Sequence, residues 1–172
     1  MTHRASYPSW LFLLFTATLA LGTDEFVISG ILPAIATDLG VTTGHAGLLV
    51  AAFALAFCIA SPIITVATDR YDRKKVLVGG LIIFAITNGL MVVVNSFWLA
   101  LVLRVIAGIS ASAVSPPAMA IAGGRAPSGR EGKFLSIVTA GLTVALFTGV
   151  PFGAWLGDIW SWRVTFLVIA LV

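Results

Sequence analysis

Polar positions along this chain are sparse and clustered. Uncharged stretches cover residues 46–68, 76–103, 105–124 and 134–157. Each reaches the roughly 18 to 20 residues that a helix needs to cross a hydrocarbon layer about 30 Å thick. A further apolar run, 9–35, is interrupted only by the adjacent acids Asp24 and Glu25 and nears its end at Pro33. Because the apolar pattern resumes after those acids, a membrane helix is expected there rather than a cleaved leader. Polar turn residues between the runs predict helices at about 9–35, 46–68, 76–94, 97–122, 134–156 and 162–172, with Asn95 and Ser96 turning the third into the fourth. The last helix would rise only about 16 Å, so it is expected to be incomplete and the chain to be part of a longer protein. The predicted class is an all-α polytopic membrane protein whose short links make neighbouring helices antiparallel.

Composition narrows the picture. Only 10% of residues are charged against 59% hydrophobic, whereas a water-exposed domain carries about 25% charge. Soluble chemistry is not indicated. No glycine-rich phosphate loop follows a strand, His3 and His45 lack metal-ligand spacing, and the single Cys58 rules out an intrachain disulfide. The basic loops are too short and lack interleaved aromatics, so no nucleic-acid surface is expected. No cofactor is expected either. Arg4, Arg70, Arg73, Lys74, Lys75, Arg125, Arg130 and Lys133 all fall in the tail and the even-numbered links, leaving Arg163 near the other side. The positive-inside tendency then puts both termini in the cytoplasm, with anionic head groups of the lipid bilayer as neighbours. Trp98, Trp155, Trp160 and Trp162 would gather at the outer interface and Trp10 at the inner one.

Several residues do not suit lipid or permit unusually close packing. Gly141, Ala145, Gly149, Gly153 and Gly157 recur every four residues in the fifth helix; Gly108, Ser112 and Pro116 do so in the fourth, and Ala52, Ala56 and Ala60 in the second. Such stripes let helix backbones approach where water exclusion gives no driving force. Pro116, Pro117 and Pro151 invite kinks, which serve either as bending points or as fixed shape. A carboxylate at Asp24 or Glu25 is costly in lipid, so at least one must face a water-accessible cavity or hold a proton, and a group that alternates between those conditions carries one proton per cycle. The alternative puts both acids near the outer head groups. Arg104 is the only charge between Val76 and Arg125, and burial would require a carboxylate partner, Asp24 or Glu25. Its alternative is snorkelling to the outer surface. The mixed charges of Asp69, Arg70, Asp72, Arg73, Lys74 and Lys75 suggest a latch in which Asp69 accepts from Arg73 or from a neighbouring helix start.

These residues carry a family resemblance. Asp69, Arg70, Arg73 and Lys74 match the loop Gly-x-x-x-Asp-Arg-x-Gly-Arg-Lys between helices two and three of major facilitator superfamily transporters, with Thr65 and Asp72 at the two glycine positions. Leu101, Arg104 and Gly108 resemble the family's fourth-helix motif, whose arginine is associated with proton coupling. The run Gly141 to Gly157, with Gly149, Pro151 and Gly153, resembles the glycine- and proline-rich motif of the drug/proton antiporter branch. Gly22 to Phe26 followed by Leu32 and Pro33 is similar to the first helix of bacterial exporters of chloramphenicol, sugars or purine nucleosides.

The resemblance implies the six-helix N-terminal bundle of a twelve-helix fold, with its last helix truncated. It implies secondary active efflux of a small organic substrate across the bacterial cytoplasmic membrane by proton antiport and alternating access. Asp24, Glu25 and Arg104 become candidates for proton coupling, and Asp69, Arg70, Arg73 and Lys74 for a cytoplasmic gate. Gly108, Gly141, Gly149, Pro151, Gly153 and Gly157 become packing and kink positions. The partners implied are lipid, protons, the substrate and a missing C-terminal half or a second copy. An uncoupled facilitator and a truncated protein that transports nothing are the alternatives.

Overall fold

The computed structural model describes residues 7–171, except for the side chain of Asp158; His3, Arg4 and Val172 lie outside the described residues. The helices are α1 (Ser9–Asp38), α2 (Thr43–Ala67), α3 (Arg73–Met91), α4 (Phe97–Ser112), α5 (Ser115–Gly124), α6 (Glu131–Ile159) and α7 (Trp162–Leu171). Taking α4 and α5 together, five helical units are long and apolar enough to cross a membrane, and α7 is a shorter apolar helix.

Capping explains where two helices begin earlier than their apolar runs. The Thr42 hydroxyl accepts from the His45 N–H at 3.2 Å, so α2 starts at Thr43. Asp72 accepts from the Lys74 N–H at 2.7 Å, which draws Arg73, Lys74 and Lys75 into the first turn of α3. α1 likewise continues past Pro33 to Asp38. The single fourth helix expected at 97–122 is divided instead. Pro116 and Pro117 have no N–H to donate, and their rings crowd the carbonyls of Ser112 and Ala113 one turn back. The chain answers with short-range bonds from Ala113 to Ser110 and from Val114 to Ala111, each 3.0 Å. α3 crosses this break at Gly80, where a Cβ would lie 3.0 Å from the Ser110 carbonyl oxygen.

The most extensive helix contact joins α1 to α6. Its glycines decide the distance. A Cβ on Gly141 would come within 2.6 Å of the Phe15 carbonyl oxygen, one on Gly30 within 2.6 Å of the Val150 carbonyl oxygen, and one on Gly22 within 2.8 Å of Ala145 Cβ. Gly153 and Gly157 face Val27 and Ile31 in the same way, while Gly149 meets Phe26 at an ordinary 3.5 Å. The Thr18 hydroxyl also donates to the Val138 carbonyl at 2.6 Å, a buried bond between the two helices. Pro151 lies inside α6, which runs on without interruption.

Large apolar side chains such as Leu13, Ile59, Val66, Val93 and Phe147 cover the outside, as suits a protein whose solvent is lipid. Lys and Arg side chains collect around the links after α2 and α5, here the basic end. At that end Trp10 packs against Phe134 and lies beneath the Arg125 guanidinium. Trp98, Trp155 and Trp160 are exposed toward the opposite end. Trp162 departs from the expected belt: it is only 3% exposed because its indole N–H donates inward to Asp38 at 3.0 Å.

The close α1–α6 approach makes Gly141→Val destabilising, by about 1–3 kcal/mol for overpacking. Gly132→Ala, in the same helix with open space around its added Cβ, is expected to leave stability unchanged or slightly raised. Thermal unfolding of the two variants in one detergent checks this contrast.

Candidate functional site

α4 buries one stripe, Ala100, Leu103, Arg104, Ala107, Gly108 and Ala111, at the spacing of a single helix face. Arg104 is thereby carried into the bundle, with 1% of its side chain exposed. From α1, Asp24 meets it with 0% exposed. Arg104 Nη1 donates to Asp24 Oδ2 at 2.7 Å, the length of a charge-assisted bond. The snorkelling alternative is therefore not adopted, and of the two neighbouring acids it is Asp24 that pairs.

Two aromatic rings and a backbone carbonyl surround the guanidinium. The Phe53 ring centroid lies 4.4 Å from Arg104 Cζ and that of Phe166 lies 6.0 Å away, a cation–π arrangement that is stronger for being desolvated. Arg104 Nε donates to the Leu49 carbonyl at 3.4 Å. Both Leu49 and Phe53 belong to α2, and Gly108 lets that helix come near enough. A Cβ at Gly108 would strike the Phe53 carbonyl oxygen and lie 3.0 Å from Ala56 Cβ. The packing glycine and the buried charge are thus one turn apart on α4 and serve the same arrangement.

The pair rests on one hydrogen bond. Asp24 Oδ1 and Arg104 Nη2 have no hydrogen-bond partner, whereas a carboxylate and a guanidinium can form two parallel bonds. Taking two charges out of water is costly, and the attraction between them only partly offsets that cost.

Glu25 is half-buried and makes no ion pair among the described residues. Its stripe on α1, four residues apart, continues through exposed Ser29, Pro33 and Thr37, so the two adjacent acids serve different faces. The cluster 69–75 is exposed, and the expected latch within this chain is not formed. Asp69 and Arg73 make no ion pair among the described residues. With Asp72 taken as the cap of α3, Asp69 is left in the turn beyond the end of α2, and Arg70 lies 5.3 Å from the Tyr71 ring. Lys74 and Arg125, with Trp10, Leu14, Leu77 and Ile121, line an apolar groove of about 660 Å³ between α1, α3 and α5.

A second polar cluster was not anticipated from the sequence. At the end opposite the basic one, Asp38 Oδ2 accepts from both the Trp162 indole and Arg163 Nη1. Arg163 Nη2 also donates to the Val94 carbonyl at 2.7 Å and to Asn95 Oδ1 at 3.0 Å. This clasp ties α1, the α3–α4 turn and α7 together. The one sequence signal for it was the pairing of opposite charges at helix ends facing the same side.

Comparison with known proteins agrees with this architecture. A family model described as Major Facilitator Superfamily matches residues 14–172. The chloramphenicol resistance protein of Streptomyces lividans is 35% identical over 164 residues, covering 95% of this chain and 42% of that protein. The uncharacterized MFS-type transporter YtbD of Bacillus subtilis is 36% identical over 170 residues, covering 99% of this chain and 43% of that protein. A crystal structure of a bacterial homolog to the human lysosomal transporter Spinster, inward-facing and unoccupied, superposes with a TM-score of 0.73 at 22% identity, over 96% of this chain and 41% of that one. That last likeness is one of fold. The chain spans about two fifths of the length of the curated relatives it matches, their N-terminal half. From a match across nearly all its residues and relatives above 30% identity, the chain is a multi-pass membrane protein that belongs to the Major Facilitator Superfamily of transporters.

Proposed function

We propose that this chain is the N-terminal half of an exporter that drives a small organic compound out of the bacterial cytoplasm by antiport with protons. The observation that carries the reading is the Arg104–Asp24 pair, buried inside the bundle and joined by one hydrogen bond. Its basic end lies in the cytoplasm, following the positive-inside tendency, and the N-terminus lies on that side. A second six-helix half, or a second copy, completes a central passage between the halves.

Each residue then has a part. A proton arriving from outside neutralises Asp24 and releases it from Arg104, which keeps the Leu49 carbonyl and the Phe53 and Phe166 rings as its neighbours. Loss of the bond shifts the balance between outward- and inward-open states. Re-formation follows once Asp24 gives up its proton on the cytoplasmic side. Glu25, on the open stripe of α1, faces the passage as a second, hydrated carboxylate. Asp69, Arg70, Arg73 and Lys74 make no ion pair among the described residues, so their charges are available to close against the other half at the cytoplasmic end. Gly108, Gly141, Gly149, Gly153, Gly157 and Pro151 keep α2 and α6 close to α4 and α1, so that the half moves as one body.

Reconstituted in vesicles, the full-length transporter should release protons when substrate is added, with chloramphenicol the first compound to try because of the relative that bears its name. Asp24→Asn should abolish that flux. Substrate movement without proton movement would leave the uncoupled facilitator as the answer.

Stability separates a working pair from a merely structural one. Removing one charge, as in Asp24→Asn or Arg104→Gln, is expected to cost about 3–5 kcal/mol by stranding its partner. The double variant should recover much of that loss in thermal unfolding while its proton flux stays absent. Recovery of flux together with stability would assign the pair to architecture alone.

A further inference from the structure

Among the described residues, four buried side-chain atoms have no hydrogen-bond partner: Asp24 Oδ1, Arg104 Nη2, Asn88 Oδ1 and Thr165 Oγ1. Each belongs to a residue no more than 1% exposed. Thr165 is unusual among the helix threonines, because Thr16, Thr23, Thr37, Thr65, Thr87 and Thr148 each donate to a carbonyl one turn back. It lies in the first turn of α7, and the Ser161 carbonyl one turn back accepts instead from the Val164 N–H at 3.0 Å. Asn88 commits its amide N–H to the Phe84 carbonyl at 3.0 Å and leaves its oxygen unused.

Helix register puts these atoms in sequence. α3 and α7 run antiparallel, with Val94 beside Arg163 and Gly89 beside Ala170. Thr165 is two residues deeper than Arg163, about 3 Å by helix rise, and Asn88 is six residues deeper than Val94, about 9 Å. Gly80 faces Ala113 and Val114 across α3 and α4, so stepping eight residues along each helix brings Asn88 to within one turn of the depth of Arg104. Phe166, next to Thr165, is the α7 residue whose ring stands 6.0 Å from the guanidinium.

We infer that Thr165 and Asn88 are stations on a water-bearing proton path that leads from the Asp38–Arg163 clasp, between α3 and α7, to the carboxylate of Asp24. The inference rests on the proton-antiport reading above. A hydroxyl both accepts and donates, so Thr165 can take part in a relay, whereas Asn88 Oδ1 only accepts and so orients a water beside it. Buried polar atoms without a protein partner are the places where internal water is held, and waters bridging them need separations of about 2.8 Å per step. A proton handed along such a chain leaves each oxygen as it was found, and its net transfer ends on Asp24. The charged groups along the route are Asp38 and Arg163 at its mouth and Arg104 with Glu25 at its end; of the neighbouring helices, α2 carries His45 in its first turn and α6 carries Asp158 in its last, both at the clasp end, while the charges of α3 lie at its opposite end.

The test follows the Asp24 carboxyl stretch by time-resolved infrared difference spectroscopy after a rapid external acid jump. The full-length transporter is placed in vesicles with the clasp end outward, and Asp24→Asn identifies the band. Thr165→Val, nearly equal in volume, and Asn88→Leu are expected to slow the appearance of protonated Asp24 about 100-fold, the lower range of what positioned proton transfer contributes. The equilibrium extent of protonation should be kept, and Thr165→Ser should restore the rate. A normal rate in both Thr165→Val and Asn88→Leu overturns the path while leaving Asp24 as the proton carrier. A wild-type protein with no protonating Asp24 band overturns the antiport reading and the path with it.

Discussion

A guanidinium inside a lipid-embedded bundle has to be neutralised from within, and the rest of the structure is arranged around that demand. Arg104 reaches Asp24 only because α1, α2 and α4 meet closely around it. Those close meetings depend on positions without side chains, since hydrophobic driving force between helices is small in lipid. Gly108 admits α2, while Gly22, Gly30 and Gly141 let α6 lie against α1 and hold it in place. The resulting packing buries both members of the pair, and burial is what makes each charge depend on the other.

Much of this was legible in the sequence for simple reasons. Lipid demands long uninterrupted apolar runs, so the number and order of the crossings followed from hydropathy. The four-residue stripe in α6 declared a close contact, and Arg104, standing alone among uncharged neighbours, declared a site. What could not be read was rotation. Asp24 and Glu25 are adjacent in sequence and about 100° apart around the helix, so choosing the partner of Arg104 required knowing which face of α1 turns inward. The division between α4 and α5 was hinted at by Pro116 and Pro117, but its place depended on how carbonyls near Ser112 are crowded. Trp162 was misassigned to the head groups because an indole near a helix end usually belongs there. Its inward turn depends on Asp38, a residue 124 positions away.

Asn88 and Thr165 illustrate a different limit. Neither stands out in composition or spacing, and polar residues of their size are common in membrane helices. They become notable only when the accounting of donors and acceptors is complete and each is left with an unanswered atom. The exposed charges at 69–75 show the reverse: conspicuous in sequence, they make no ion pair among the described residues.

The Asp38–Arg163 clasp gives the bundle a lopsided rigidity. Three helix ends are riveted together on one side of the membrane, while on the other side the links after α2 and α5 have no comparable rivet among the described residues. Such a body is held tightest at the clasped end and more loosely at the other. Thermal play within it is then greatest around the cationic links and least at the clasp itself.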